Sequence, residues 1–127
     1  MNFLHYAVQE TTVENTTVFF EGILGLKKIR EYELDKNLCR EIFGIEKNYK
    51  VVMYELGNGA IEVFIGKKEN CISLTHIALS PNNREEILKN ARKYGLWIFE
   101  KERKEKDKLV FIKDFDGNLY ELKSAKR

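Results

Sequence analysis

The sequence predicts an α+β fold in which two βαβββ modules follow each other along a single chain. The only two histidines, His5 and His76, lie at matching places in two similar strand-like segments, Leu4–Val8 and Leu74–Leu79. A spacing of apolar residues typical of an amphipathic helix follows each segment. A pair of strands joined by a glycine-containing turn then closes each repeat. Repetition at this scale sets the architecture, because both halves must be built in the same way.

The first half of module one, which spans residues 1–66, is predicted to be a strand and a helix. The strand covers Phe3–Val8. Thr11 and Glu14 match a capping box, so the helix is expected to begin there. Gly22 and Gly25 are expected to end the helix near Leu24. Its apolar residues, spaced four, three and four positions apart, are Val13, Thr17, Phe20 and Leu24.

The second half of module one contains three predicted strands. Leu26–Leu34 is expected to be extended, whereas the polar segment 35–50 has no assignment from the sequence. Val51–Leu56 and Ala60–Ile65 are expected to pair, because the intervening Gly57-Asn58-Gly59 has the composition of a tight hairpin turn.

Module two, residues 72–123, repeats the pattern from a strand at Ser73–Leu79. A helix is predicted over Arg84–Tyr94, with Gly95 as its C-terminal stop. One face of this helix carries Ile87, Leu88, Ala91 and Tyr94.

Three further strands are predicted to complete module two. Leu96–Phe99 is the first, and the alternating charges of Glu100–Lys108 predict a solvated hairpin loop after it. Leu109–Lys113 and Leu119–Lys123 are the last two strands, joined by an Asp-Gly turn within Asp114–Asn118. The 127 residues are therefore predicted to form one domain of two modules.

The composition excludes several classes of function. The 22 basic and 20 acidic residues are well mixed, so nucleic acid and membrane surfaces are not expected partners. No apolar run approaches the roughly 20 residues of a membrane helix, and no signal peptide is apparent, so we expect a cytoplasmic protein. Cys39 and Cys71 are not in a CxxC pair, which excludes zinc-finger and thioredoxin-type motifs and predicts free thiols.

Four polar residues are predicted to lie on the faces of the strands that turn away from the helices. Side chains alternate along a strand, so the aliphatic Ile61 and Val63 face a helix and Glu62 faces the opposite side. The same alternation places Glu121 opposite the helix-facing residues of the last strand. His5 and His76 occupy the corresponding positions on the first strands of the two modules.

These four residues together predict a metal site. Two buried carboxylates without partners would repel each other, and a divalent cation between two imidazoles and two carboxylates removes that cost. Taken singly, each residue fits an exposed glutamate or a packed histidine, but the joint pattern favours a site for one divalent ion. Nickel or zinc is the preferred metal, and cobalt, iron or manganese also suits this donor set. The predicted ligands are His5, Glu62, His76 and Glu121.

The chain resembles the vicinal oxygen chelate superfamily, which includes glyoxalase I, bleomycin resistance proteins and extradiol dioxygenases. The resemblance rests on the order His, Glu, His, Glu and on three segments, Phe19–Leu26, His76–Leu79 and Asp114–Leu122. The last segment is similar to the family pattern DPDGNxxEL and is the most specific. Extending over Phe3–Lys123, the resemblance is closest to glyoxalase I-like proteins. It implies a curved mixed sheet, a half-barrel around the metal, often completed in a homodimer.

The resemblance also implies a reaction. Relatives of this kind are metal-dependent lyases or isomerases that bind a small substrate through vicinal oxygens. An example is a 2-oxoaldehyde–thiol hemithioacetal, converted through a metal-stabilised enediolate. By this resemblance Glu121 is the residue expected to move the proton, with Glu62 as its symmetry mate, and no cofactor other than the metal is implied.

Two alternative functions stay open. One is a non-catalytic drug-binding protein of the bleomycin-resistance type, and the other is an epimerase of an acyl-thioester. Such epimerases usually carry glutamine where this chain has Glu62. Fosfomycin-modifying relatives use three protein ligands and bleomycin-binding relatives lack the metal, so the presence of all four predicted ligands argues against both. The use of glutathione is also open, because Gln9 and Glu10 stand where glyoxalase I enzymes usually carry an arginine, and no asparagine follows Glu62.

Overall fold

The computed structural model describes residues 4–67 and 76–124. They belong to two units, Met1–Glu69 and Asn70–Arg127. Each unit holds one four-stranded mixed sheet, and the two sheets have the same strand order. The predicted tandem βαβββ modules are therefore confirmed, and neither sheet is closed into a barrel.

Module one contains an extra helix within the βαβββ pattern. Its sheet has the order β1-β4-β3-β2, in which only β1 and β4 are parallel. The extra helix α2 lies in the segment without a sequence assignment, begins after an Asp35 cap and ends at Gly44, whose φ is +73°. The elements are β1 (His5–Glu10), α1 (Val13–Thr16), a π-helix that continues α1 (Thr17–Ile23), β2 (Lys28–Leu34), α2 (Lys36–Phe43), β3 (Tyr49–Leu56) and β4 (Gly59–Ile65).

The first helix differs from its prediction in its cap and its buried face. Thr12 rather than Thr11 is the N-cap, since its Oγ1 accepts a hydrogen bond of 3.0 Å from the Asn15 backbone N–H. Val13, predicted to be buried, is 46% exposed. From Thr16 onward the buried residues recur at the three- and four-residue spacings of one helical face, and Val13 and Thr17 lie outside that face. The buried residues are Thr16, Phe19, Phe20, Ile23 and Leu24.

Module two has the order β5-β8-β7-β6, and β5 and β8 are its parallel pair. Residues 73–75, which begin the predicted first strand, and Cys71 lie outside the described residues. Tyr94, predicted on the buried helix face, is 48% exposed. The elements are β5 (His76–Leu79), α3 (Arg84–Lys93), β6 (Ile98–Arg103), β7 (Lys106–Lys113) and β8 (Leu119–Leu122).

The charged run predicted as a loop is mostly strand. The strands β6 and β7 continue into it and leave a two-residue turn, in which Glu105 has a φ of +60°. Ion pairs across this hairpin and to α3 hold the charges in place. Lys108 Nζ lies 2.7 Å from a Glu100 carboxylate oxygen, and Arg84 makes a two-point contact with Asp107. The prediction of a loop was wrong because alternating charges fit a solvated strand equally well.

Each module buries its own core, mainly on the helix-facing side of its sheet, although in module one Val51 is also fully buried on the side of Glu62. In module one the core includes Ile61, Val63 and Tyr54, and the Tyr54 ring stacks on Phe20 at 5.3 Å. In module two Tyr120 and Ile112 are fully buried. The predicted division of the strand faces is therefore correct. Among the helices of the described residues, none is long and apolar enough to cross a membrane.

Candidate metal centre

The parallel strand pair in each module places one histidine and one glutamate in matching register. In module one His5 lies opposite Ala60, and Glu62 is two residues further along β4. In module two His76 lies opposite Leu119, and Glu121 is again two residues further along. Since side chains two apart share a face, each histidine and its glutamate lie on the same side of their sheet. The repeat seen in the sequence is thus a repeat of geometry.

Gly59 permits the pairing that sets this register in module one. The Ala60 backbone N–H donates to the Leu4 carbonyl oxygen at 2.9 Å, which fixes the start of β1 against β4. A Cβ at Gly59 would lie 2.8 Å from that same carbonyl oxygen. Only glycine allows this close approach, so the turn residue also serves the site.

The pair in module one is in direct contact. His5 Nε2 lies 2.7 Å from Glu62 Oε2, and the imidazole is 48% exposed whereas the carboxylate side chain is 10% exposed. The other oxygen of the same carboxylate, Oε1, accepts a hydrogen bond of 2.5 Å from the Tyr32 hydroxyl. Both oxygens of Glu62 are therefore engaged.

Tyr32 is a part of this site that the sequence analysis missed. Burial of the phenol, together with its hydrogen bond to Glu62, raises the pKa of Tyr32 to about 12. The phenol therefore stays protonated near neutral pH and acts as a donor. Arg30 lies over its ring at 4.6 Å. Tyr32 on β2 reaches Glu62 on β4 across the intervening strand β3. No local pattern in the sequence predicts this contact.

The pair in module two is looser. His76 Nε2 lies 3.9 Å from Glu121 Oε1, and the carboxylate side chain is 14% exposed. Lys123 Nζ lies 3.2 Å from the other oxygen, Oε2, and its side chain is 51% exposed. In the predicted strand Leu119–Lys123, alternation puts Lys123 on the same face as Glu121. The His76 ring also packs edge-on against Phe111, with centroids 5.8 Å apart.

The segment Asp114–Leu122, which resembles a family pattern, builds the turn before Glu121. The side chain of Asp114 is nearly buried and accepts hydrogen bonds from the backbone N–H groups of Asp116 and Asn118 and from the Tyr120 hydroxyl, the last at 2.8 Å. Burial raises the pKa of the Asp114 carboxyl, and these hydrogen bonds oppose the rise. Asp114 and Tyr120 thus fix β8 from its buried side and leave Glu121 on the opposite side.

A cavity of about 160 Å³ borders Glu121 within module two. Its cations are only partly neutralised. Lys108 is paired with Glu85 and Glu100, whereas Arg103 donates through Nε to the Asp107 backbone carbonyl. The lining residues are Arg103, Asp107, Lys108, Glu121, Leu122, Lys123 and Ser124.

The donor atoms present fit a divalent cation, and each module supplies two of them. Two ligands each about 2.1 Å from one metal lie roughly 3.0–3.4 Å apart, and the observed separations of 2.7 and 3.9 Å fall on either side of that range. In both modules the same imidazole nitrogen, Nε2, faces the carboxylate. Within neither module do the described residues gather three histidine, cysteine, aspartate or glutamate side chains into a cluster. Two donors are fewer than a catalytic metal site requires.

Cys39 does not fit the role of a nucleophile. The side chain is fully buried in α2, and burial raises the pKa of its thiol. Reactive cysteines are instead exposed and have lowered pKa values.

No protein-family model matches the chain, and no curated protein matches it.

Several solved structures are similar to this chain over nearly its whole length. A glyoxalase family protein from Bacillus cereus has a TM-score of 0.79 at 14% identity, over 98% of this chain and 93% of that one. The trypanothione-dependent glyoxalase I of Leishmania major has a TM-score of 0.72 at 21% identity, over 99% and 88%. A variant of the fosfomycin resistance protein FosX from Listeria monocytogenes, complexed with Mn(II) and 1S,2S-dihydroxypropylphosphonic acid, has a TM-score of 0.70 at 19% identity, over 99% and 93%.

These likenesses establish the fold. The chain has the tandem-module fold shared by glyoxalase I and FosX, which is that of the vicinal oxygen chelate superfamily. The resemblance read from the sequence is confirmed at the level of the fold.

Proposed function

We propose, from this fold and the two His–Glu pairs, that the chain is a metal-dependent lyase or isomerase of the glyoxalase I type. The ligands of one divalent cation would be His5, Glu62, His76 and Glu121. The substrate class is a small molecule with vicinal oxygens, such as the hemithioacetal of a 2-oxoaldehyde and a thiol.

The observation that carries this proposal is the identical register of the two pairs. If each histidine–glutamate contact only stabilised its own module, the two contacts would be unrelated. Such separate roles do not explain why both modules place the glutamate two residues beyond the partner of the histidine, on the face opposite Ile61 in module one and Tyr120 in module two. Four ligands of one cation explain both at once, since each module alone has too few donors.

The bound cation would supply Lewis acidity toward the two adjacent substrate oxygens. Glu121 would then take a proton from the carbon beside the carbonyl and return it to the neighbouring carbon. An isomerisation of this kind balances without an oxidant or a further cofactor. Glu121 suits the task because the residue lines a cavity and its carboxylate oxygen Oε2 is paired with an exposed lysine.

The thiol partner of the substrate is left undefined by the residues near the site. Where glyoxalase I enzymes usually carry an arginine for glutathione, Gln9 donates from its side chain to the Lys67 carbonyl and Glu10 is fully buried. Neither of these two residues is a cation that could bind a carboxylate of glutathione. We therefore propose a 2-oxoaldehyde–thiol adduct without assigning glutathione.

The test is turnover of methylglyoxal adducts with several thiols after the chain has been loaded separately with nickel, zinc, cobalt, iron or manganese. We expect turnover with at least one metal and its loss after treatment with a chelator. Protein that stays metal-free after loading would contradict the enzyme and favour a drug-binding protein of the bleomycin-resistance type.

A second candidate is modification of a phosphonate, as the name of the FosX neighbour suggests. The observation in its favour is the cavity beside Glu121, where the guanidinium of Arg103, which donates through Nε to a backbone carbonyl, can attract an anionic group. Assaying fosfomycin consumption by the same metal-loaded protein separates the two candidates. Consumption of fosfomycin without turnover of any thiol adduct would favour the phosphonate reaction.

A further inference from the structure

We propose that Tyr32 is a positioning residue for the metal site, which holds one oxygen of Glu62 so that the other is presented beside His5. This inference rests on the proposed function, because it assigns Glu62 and His5 as ligands. Tyr32 belongs to β2, two strands away from the glutamate that it contacts.

The geometry of the carboxylate carries the proposal. Glu62 Oε1 accepts from the Tyr32 hydroxyl at 2.5 Å, and Oε2 lies 2.7 Å from His5 Nε2. A carboxylate with one oxygen fixed in this way can rotate little, so the second oxygen keeps its direction. Groups that hydrogen-bond to a metal ligand hold it in the binding orientation and lower the cost of arranging it.

The partial burial of this contact adds to its effect. The Glu62 side chain is 10% exposed, so a water molecule cannot easily replace the phenol. Arg30 lies over the Tyr32 ring at 4.6 Å and limits the movement of the ring. The hydroxyl is thus held at the carboxylate by contacts with its own strand.

The corresponding position in module two carries no such donor. On β3, Met53 lies opposite Glu62, and Val51, two residues earlier, lies opposite Tyr32. On β7, Phe111 lies opposite Glu121, and Leu109, two residues earlier, lies opposite Lys101. Lys101 therefore occupies the place of Tyr32, and the described structure gives Glu121 no phenol.

The experiment compares metal binding by the full chain and by a Tyr32→Phe variant, measured by titration with cobalt and nickel against a chelator of known affinity. The variant keeps the ring and loses only the hydroxyl. We expect its metal dissociation constant to rise by about 10-fold or more, the usual effect of removing a group that orients a ligand. The visible spectrum of the cobalt form should also change, because the geometry of the Glu62 ligand is less fixed.

A matched control is Tyr54→Phe. The Tyr54 hydroxyl donates to Glu21 at 2.9 Å in the same module, and Tyr54 pairs with Ile61, on the opposite face of the sheet from Glu62. This variant should keep the wild-type metal affinity and cobalt spectrum. If it weakens binding as much as Tyr32→Phe, the effect is one of general stability and the positioning role is wrong.

The remaining outcomes separate the two proposals. A wild-type chain that binds cobalt and nickel, with a Tyr32→Phe variant of equal affinity and equal spectrum, overturns the role of Tyr32 and leaves the proposed function standing. A wild-type chain that binds neither these metals nor zinc or manganese overturns both.

Discussion

The two modules present the same pair of residues in the same register, but they hold the glutamate differently. In module one both oxygens of Glu62 are engaged at short distance, by the Tyr32 hydroxyl and by His5. In module two Glu121 has an exposed Lys123 on one oxygen, and its histidine lies 3.9 Å from the other. The register of the parallel strand pair is the same in both modules, whereas the groups around the two carboxylates differ.

This difference indicates a division of labour between the two carboxylates. A carboxylate fixed by a phenol is suited to remain a ligand, because moving it would break a partly buried hydrogen bond. A carboxylate that is paired with an exposed lysine loses little stabilisation when it moves, since exposed ion pairs contribute only about 0.2–1 kcal/mol. Under the proposed function, we therefore expect Glu121 to transfer the proton and Glu62 to stay a fixed ligand. The assignment made from family resemblance now has a physical reason.

The largest expected effect comes from replacing each glutamate by glutamine in turn. Glu121→Gln should lower turnover at saturating metal by at least ~100-fold, because a positioned base contributes about 10²–10⁴-fold and an amide cannot accept the proton. Glu62→Gln should mainly weaken metal affinity and lower turnover much less once the metal is saturating. Steady-state kinetics on metal-titrated protein, with circular dichroism to check folding, measures both. Equal losses of turnover in the two variants would show that the carboxylates share one role.

A second comparison concerns the turns that precede the last strand of each module. Asp114→Ala in module two should lower the free energy of unfolding by about 2 kcal/mol or more, because it leaves buried donors of the turn and Tyr120 without their acceptor. Asn58→Ala, in the exposed turn of module one, should change it by less than about 0.5 kcal/mol. Denaturation with urea measures both variants. An Asp114→Ala chain as stable as the wild type would show that the turn does not depend on the carboxylate.

The smallest expected effect concerns Lys123. Lys123→Met should tighten metal binding by about two- to fivefold, because the ammonium no longer competes for Glu121 and the pair is exposed. Lys113→Met on the neighbouring strand β7 is the control, since Lys113 lies over the Trp97 ring instead. Competition with a chelator measures both affinities. Weaker binding by Lys123→Met would mean that the lysine supports the site rather than competing with it.

Much of the fold was predictable because the local patterns agree with the tertiary structure. The strand faces followed from alternation, as the buried Ile61 and Val63 beside Glu62 illustrate. The first helix was placed correctly, but only part of its buried face was, because the face is centred on Phe19, Phe20 and Ile23 and leaves Val13 and Thr17 exposed. The segment containing α2 had no clear pattern, and its helix depends on the Asp35 cap and the Gly44 stop.

The four candidate ligands could be predicted from the sequence, but the difference between the surroundings of Glu62 and Glu121 could not. The positions of His5 and His76 in a repeat were sufficient to select four candidate ligands. Tyr32 reaches Glu62 across an intervening strand, a relation that depends on the strand order and the register together. Neither can be read from the spacing of residues along the chain.

The most direct test of the central claim, that the two pairs together bind one metal ion, is the metal content of the chain and of His5→Ala and His76→Ala variants. Elemental analysis after loading and gel filtration gives the number of ions per chain. We expect close to one ion per chain in the wild type and clearly less than one in either variant after gel filtration, because each variant removes one of the four ligands and weakens the same single site. Two ions per chain, or a variant that keeps its full metal content, would contradict a shared site.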